Sequence, residues 1–168
     1  MASGRLARYG RLMADGSVER VRAALAALGH ADTITVFPAG TRTSADAAAA
    51  VGCEVAQIAK SMVFRGGDRV VLVVTSGANR VDAAKAGAAL GLSLKRADAD
   101  WVRAWTGFAI GGVAPVGHLT PPLVLIDEHL MPLDPIWAAA GSPVHVFRTT
   151  PGELVRITGG QVADVHQD

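Results

Sequence analysis

Two apolar runs joined by a pair of glycines constrain this chain more than any other feature. Gln57 to Phe64 and Arg69 to Thr75 each read as a β-strand, and the link Arg65-Gly66-Gly67-Asp68 offers the positive φ that a tight hairpin turn needs. The second strand is almost wholly apolar from Val70 to Val74, so it is buried on both faces and belongs in the middle of a sheet. The first strand breaks that pattern once, at Lys60, where a cation stands in an otherwise apolar segment. An ammonium in an apolar interior is costly unless it is paired or opens onto a pocket. Lys60 is therefore a functional candidate, the alternative being a side chain that snorkels off a sheet edge into water.

Around the hairpin the chain alternates helices and strands. From Ser17 the apolar positions Val18, Val21, Leu25 and Leu28 predict a helix that stops at Gly29. Thr33 to Phe37 reads as a strand, Pro38 and Gly40 as a turn, and Thr43 or Ser44 as the cap of an alanine-rich helix ending near Gly52. Val81 to Leu90 predicts a helix, Ser93 to Arg96 a strand, and Asp98 or Asp100 caps a short helix holding Val102 and Trp105. Gly107 to Gly117, with four glycines and a proline, is neither regular helix nor central strand. Leu123 to Ile126 and Val144 to Arg148 read as strands, Pro151 to Ile157 as a helix, and Gln161 to Val165 as a last strand or tail. Hairpin strands interleaved with helices predict a mixed sheet.

At 168 residues one domain is expected, large enough to bury roughly 70% of the surface of the unfolded chain. Residues 1–15 read as a loosely attached arm and 16–168 as the domain. Half the residues are apolar, which excludes a disordered chain, and no apolar run is long enough to span a bilayer. No secretory signal is legible, so a cytoplasmic location is expected. A formal charge of +1 gives no general field for a polyanion, so a nucleic-acid contact must be confined to a few phosphates and DNA is not an expected partner.

Common chemical signatures fail. Lys60-Ser61 lacks the glycine and the preceding loop of a phosphate-binding P-loop, and the glycines of 107–117 do not have dinucleotide-fingerprint spacing. The five histidines contain no i, i+4 pair and Cys53 is the lone cysteine, so neither a metal nor another cofactor is expected. Neither Ser76 nor Ser142 sits in a nucleophile elbow.

What remains is an ordered set: Gln57-Ile58-Ala59-Lys60-Ser61-Met62-Val63-Phe64, then Gly107-Phe108-Ala109-Ile110-Gly111-Gly112-Val113-Ala114-Pro115-Val116-Gly117, then Gly141-Ser142-Pro143 and Thr150-Pro151-Gly152-Glu153-Leu154. Together these resemble the YbaK / prolyl-tRNA synthetase-associated domain family over about residues 17 to 165. The resemblance implies an α/β single domain with a mixed, strongly curved sheet and flanking helices. It also implies a free-standing trans-editing hydrolase that deacylates mischarged aminoacyl-tRNA, tRNA for proline being one candidate. Lys60, Gly111 and Gly112 are then the catalytic expectation, and Ser61, Met62, Phe108, Val113, Pro115, Gly117, Gly141 and Ser142 the substrate-binding one. The partner implied is the 3′ acceptor end of an aminoacyl-tRNA, with an aminoacyl-tRNA synthetase as a further candidate. Some family members carry an aspartate where this chain has His145-Val146-Phe147, which leaves the amino acid removed open.

The residues support that chemistry independently. An aminoacyl ester is already activated, so a protein need only position it, admit water and stabilise the developing oxyanion. Lys60 supplies positive charge, and the backbone N–H groups of Gly111, Gly112 and Val113 can approach an ester closely; the plainer alternative is that the glycines permit a sharp bend. A synthetase pocket gains only about 1–3 kcal/mol per methylene, so a separate small pocket is needed to remove smaller amino acids. Met62, Phe64, Phe108, Ile110 and Val113 suggest a small uncharged side chain, though core packing explains them equally well. The rival reading is a module that docks a tRNA 3′ end or a synthetase without hydrolysis.

Overall fold

The computed structural model describes residues 16–38 and 41–168. The N-terminal arm, residues 1–15, and the expected turn glycine Gly40, with residue 39, lie outside them. Helix α1 covers residues 16–27, strand β1 Ile34–Val36 and α2 Ser44–Val51. One 3-10 turn then leads into β2, Ile58–Gly66, and β3, Arg69–Ser76. Helix α3 spans Ala83–Leu90, β4 Lys95–Arg96 and α4 Ala99–Thr106. After an irregular loop come β5 Leu123–Asp127, β6 Ile136–Ser142, β7 His145–Thr149, α5 Pro151–Thr158 and β8 Gln161–Ala163.

The eight strands form one mixed sheet in the order β1-β7-β6-β2-β3-β5-β8, with β4 attached to β2. β3 lies near the middle, and the reason is in its composition. Leu72 and Val74 face the cluster built from α1, α5 and the loop after α4, while Val71 and Val73 face α3. All five residues from Val70 to Val74 are at most 2% exposed, and each such side chain contributes roughly 1.5–3 kcal/mol. A third cluster seats Ala47 and Ala48 of α2 on Ile58 and Val146.

Local chemistry sets the helix limits. Thr43 and Asp46 form a capping box for α2, Asp82 and Asp98 cap α3 and α4, and Thr150 caps α5 with Pro151 in its first turn. The β2–β3 turn is tighter than expected. Gly66 is already a strand residue, and Gly67 alone of the two glycines adopts positive φ, at 65°.

β6 has no counterpart in the sequence expectations, and it positions the site. On the side away from β3, strand β2 pairs with β6 through Ile58 and Ala59 and with β4 through Phe64 and Arg65. Lys60, Ser61, Met62 and Val63 lie between those contacts with no strand beside them. The gap leaves roughly 13 Å of open edge on a strand that, among the described residues, is paired on that side both before and after it.

Candidate active site

The open edge of β2 becomes a cleft because the loop after α4 lies across it. Lys60, Ser61, Met62, Ile110, Gly111 and Val113 line two adjoining cavities of about 690 and 440 Å³, which share this segment as a common wall. The larger continues past Arg80, Arg96 and Gln167. The smaller continues over Phe37, Trp137 and Val146 to His145. The cation that breaks the apolar pattern thus stands where the sheet is interrupted.

Lys60 has no carboxylate within ion-pair distance among the described residues. Burial first, and the charge of Arg80 second, hold its ammonium below the usual lysine range. Ser61 follows on the opposite face of the strand, and its hydroxyl is buried with no hydrogen-bond partner. The Trp137 indole N–H in the smaller cavity is likewise buried and unpartnered. A site with unmet polar groups in an apolar wall is suited to a ligand that supplies the missing partners.

The opposing loop is held from behind. The Arg20 guanidinium donates from Nε to the Gly117 carbonyl at 2.7 Å and from Nη2 to the Gly107 carbonyl at 2.9 Å, and lies over the Phe108 ring. Gly112 donates its N–H to the Ala109 carbonyl at 3.0 Å. No hydrogen bond among the described residues uses the N–H of Gly111 or Val113. The N–H of Ile110, which lines the cleft with them, is likewise unused, so these three residues offer backbone donors at the cleft.

The residues singled out from the sequence therefore divide. Lys60, Ser61, Met62, Gly111 and Val113 come together at the cleft. Phe108, Gly112, Pro115, Gly117, Gly141 and Ser142 line neither cavity. Phe108 and Pro115 are buried, and Phe108 packs edge-on against His118. A Cβ on Gly117 would lie 3.3 Å from the α1 backbone at Val21, and one on Gly141 would lie 2.7 Å from the Ser17 carbonyl oxygen. A Cβ on Gly112 would stand 2.8 Å from the backbone of Ser142. These glycines are bare because another chain segment occupies the space, not the cleft.

Ser142 acts one step removed. Its hydroxyl accepts from the N–H groups of Val144 and His145, so its single proton goes to His145 Nδ1 at 2.6 Å. The His145 ring borders the smaller cavity.

Three candidate positions were not legible from spacing. Arg80 lies in the irregular segment after the β3 turn, with nothing periodic about it. Trp137 belongs to the missed strand β6. Asp127, at the end of β5, accepts from Thr75 Oγ, the Ser76 N–H, Asn79 Nδ2 and the His129 N–H, and so ties β3 to β5 beside Lys60, whose cross-strand partner is Thr75. Burial opposes its charge, but these donors hold its carboxyl below the usual range. Asp127 also meets His129 and His166, whose rings lie 4.1 Å apart, a grouping of ligand types that the search for i, i+4 histidines did not anticipate.

Residues 38–157 match the model of the aminoacyl-tRNA editing domain. The chain belongs to that family. It is 32% identical over 154 residues to the uncharacterized protein YwhH of Bacillus subtilis, covering 90% of this chain and 98% of that protein. Among solved structures it is similar to a candidate trans-editing enzyme for prolyl-tRNA synthetase, at 47% identity and a TM-score of 0.87, over 90% of this chain and 98% of that one. It is also similar to the hypothetical protein APE2540, at 28% identity and a TM-score of 0.81, over 88% and 99% of the two chains. The editing-domain family accounts for the single domain and its mixed sheet.

Proposed function

We propose that this editing domain is a free-standing hydrolase that removes a small amino acid from mischarged tRNA. The observation that carries the reading is the Lys60 ammonium, without a carboxylate partner among the described residues, at the interruption of the β2 edge, in a cleft that it lines together with Gly111 and Val113. Water attacks the ester carbonyl, the bond from that carbon to the ribose oxygen breaks, and the proton passes to the ribose oxygen. Lys60 and the two amides lower the barrier by stabilising negative charge on the carbonyl oxygen. The smaller cavity, closed by Trp137 and His145, sets the size of side chain admitted. No side-chain nucleophile is needed.

The test is a deacylation screen over a panel of mischarged tRNAs, with tRNA for proline first because of the relative described as a trans-editing candidate for prolyl-tRNA synthetase. Lys60→Ala should reduce the rate by more than about a hundredfold, while thermal stability holds or rises because a desolvated charge has been removed. Full activity in folded Lys60→Ala would overturn the mechanism. Tight binding of tRNA without turnover of any substrate would favour a docking module instead.

A further inference from the structure

Outside the cleft, metal-ligating side chains gather where two parallel strands end. β5 and β8 run side by side with Asp127 opposite Ala163, so the residues that follow each strand leave the sheet together. After β5 comes the 3-10 turn Glu128–Leu130, and after β8 the C-terminal tail, residues 164–168. Asp127, His129 and His166 can each offer one ligand atom such that the three lie within 4.8 Å of one another. Glu128, Asp164 and His166 form a second such group, which shares His166.

The chain itself fixes the backbone under these groups. Val165 is buried against the α3 cluster, and its carbonyl accepts from the Asp82 N–H at 2.7 Å. His166 pairs with Val81 in an isolated bridge, and Gln167 donates its N–H to the Arg80 carbonyl at 2.8 Å. Asp127 is buried, and its Oδ1 accepts only from the His129 N–H, so that oxygen keeps a lone pair. Asn79 Nδ2 stands 2.8 Å from Asp127 Oδ2 and 2.8 Å from His129 Nδ1. Its two N–H groups bring partial positive charge between the carboxylate and the ring. A cation brings more, and the Asn79 amide, turned over, offers its oxygen as a further ligand.

Two features of the group are left unbalanced. His166 Nδ1 is buried without a hydrogen-bond partner, since Asp164 Oδ1 stands 2.7 Å away but off the hydrogen-bonding line. The charges do not cancel either. Lys85 serves both Asp164 and Asp168, and neither Asp127 nor Glu128 has a cation within ion-pair distance among the described residues. Two imidazoles beside underneutralised carboxylates are the donor set of a divalent transition ion, and the nitrogens select it over magnesium or calcium.

We propose that Asp127, His129 and His166 bind one divalent cation of zinc's class, with Glu128 and Asp164 at its margin, and that the ion clasps the C-terminal tail to the end of β5. Because Asp127 also holds Thr75 and Ser76, the clasp joins β3, β5 and the tail. It does not depend on the deacylase reading.

Calorimetric titration of the chelator-stripped full chain with Zn2+ tests this. One ion per chain should bind, Mg2+ should not compete, and Co2+ in its place should show the visible bands of an ion with nitrogen and oxygen ligands. His129→Ala and His166→Gln should each weaken binding by at least about tenfold. His129 is exposed, so its loss should leave the fold intact, which a melting curve without zinc checks. The clasp has a readout of its own. Zn2+ should slow hydrogen exchange at the amides of the tail by at least about tenfold in the parent and not in His129→Ala, whose substitution lies outside the tail. Undiminished binding in His129→Ala would mean an ion held by the tail alone and would overturn the site. So would the absence of saturable binding, or equal binding of Mg2+, which would leave only an acidic surface. Zinc bound through both histidines without protection of the tail would overturn the clasp.

Discussion

Lys60 was legible in the sequence for a thermodynamic reason: an ammonium in an apolar strand needs a local explanation, and a lysine among valines shows without any structure. Arg80 was not, because an arginine in a turn is ordinary and only folding brings it to Lys60. The pair makes a prediction about pH. Burial and, second, Arg80 lower the affinity of Lys60 for its proton, so its positive charge is lost on the alkaline side before an ordinary lysine, at 10.5, would lose it. Enzymatic deacylation at saturating substrate, corrected for hydroxide-driven hydrolysis, should therefore fall along an alkaline limb below 10.5. Arg80→Ala removes the second cause and keeps the first, so its limb should move up and still lie below that of free lysine. An unmoved limb would separate Arg80 from Lys60.

At the scale of elements, the hairpin, the helix caps and the irregular loop could be read from the sequence because each follows from local chemistry. β6 could not be read so directly. Its Ile136-Trp137-Ala138-Ala139-Ala140 is rich in alanine, which strands disfavour, and it forms a strand because β2 and β7 flank it. Nor does its sequence alternate, since all five residues are apolar; only the fold, which buries Ile136, Ala138 and Ala140 and half-buries Trp137 and Ala139, brings out the period of two. Without β6 the open edge of β2 was invisible, and the glycine loop could be placed near a ligand but not sorted residue by residue. That sorting predicts opposite behaviour for neighbours. Gly112→Val drives a side chain into the β6–β7 turn and should destabilise by about 1–3 kcal/mol, contrary to the sequence expectation of a mainly catalytic loss. Gly111 has φ 90°, and a Cβ there would meet only Pro143 Cγ, at an ordinary 3.9 Å, so Gly111→Ala should cost only about 1 kcal/mol of strain while disturbing a cleft residue. Melting curves and rates measured on both variants check this; a stable, inactive Gly112→Val would return that glycine to the cleft.

The whole molecule depends on the loop after α4 staying docked on α1, and one buried histidine makes that docking sensitive to acid. His118 donates from Nε2 to the Ala114 carbonyl at 2.6 Å with its ring against Phe108. Burial, opposed by that carbonyl and aided by Arg20, lowers its pKa from 6.5 to about 4. The unfolded chain therefore binds a proton between pH 6.5 and 4 that the folded one refuses, so stability falls with pH across that window and levels off beneath it. The full effect is roughly 3 kcal/mol, of which about 2 should be lost between pH 7 and 5. The carboxyl groups held below their usual values, Asp46, Asp127, Glu153 and Asp164, act in the same sense, the unfolded chain binding the proton more readily, but only at or below 3.8 to 4.5, so their contribution is lost at lower pH. Denaturant unfolding at pH 7 and at pH 5 should thus show a drop in the parent chain that His118→Gln reduces by most of that amount, whatever the variant costs at pH 7. An equal drop in both would mean that His118 titrates alike in the folded and unfolded chains and that acid loosens the molecule elsewhere.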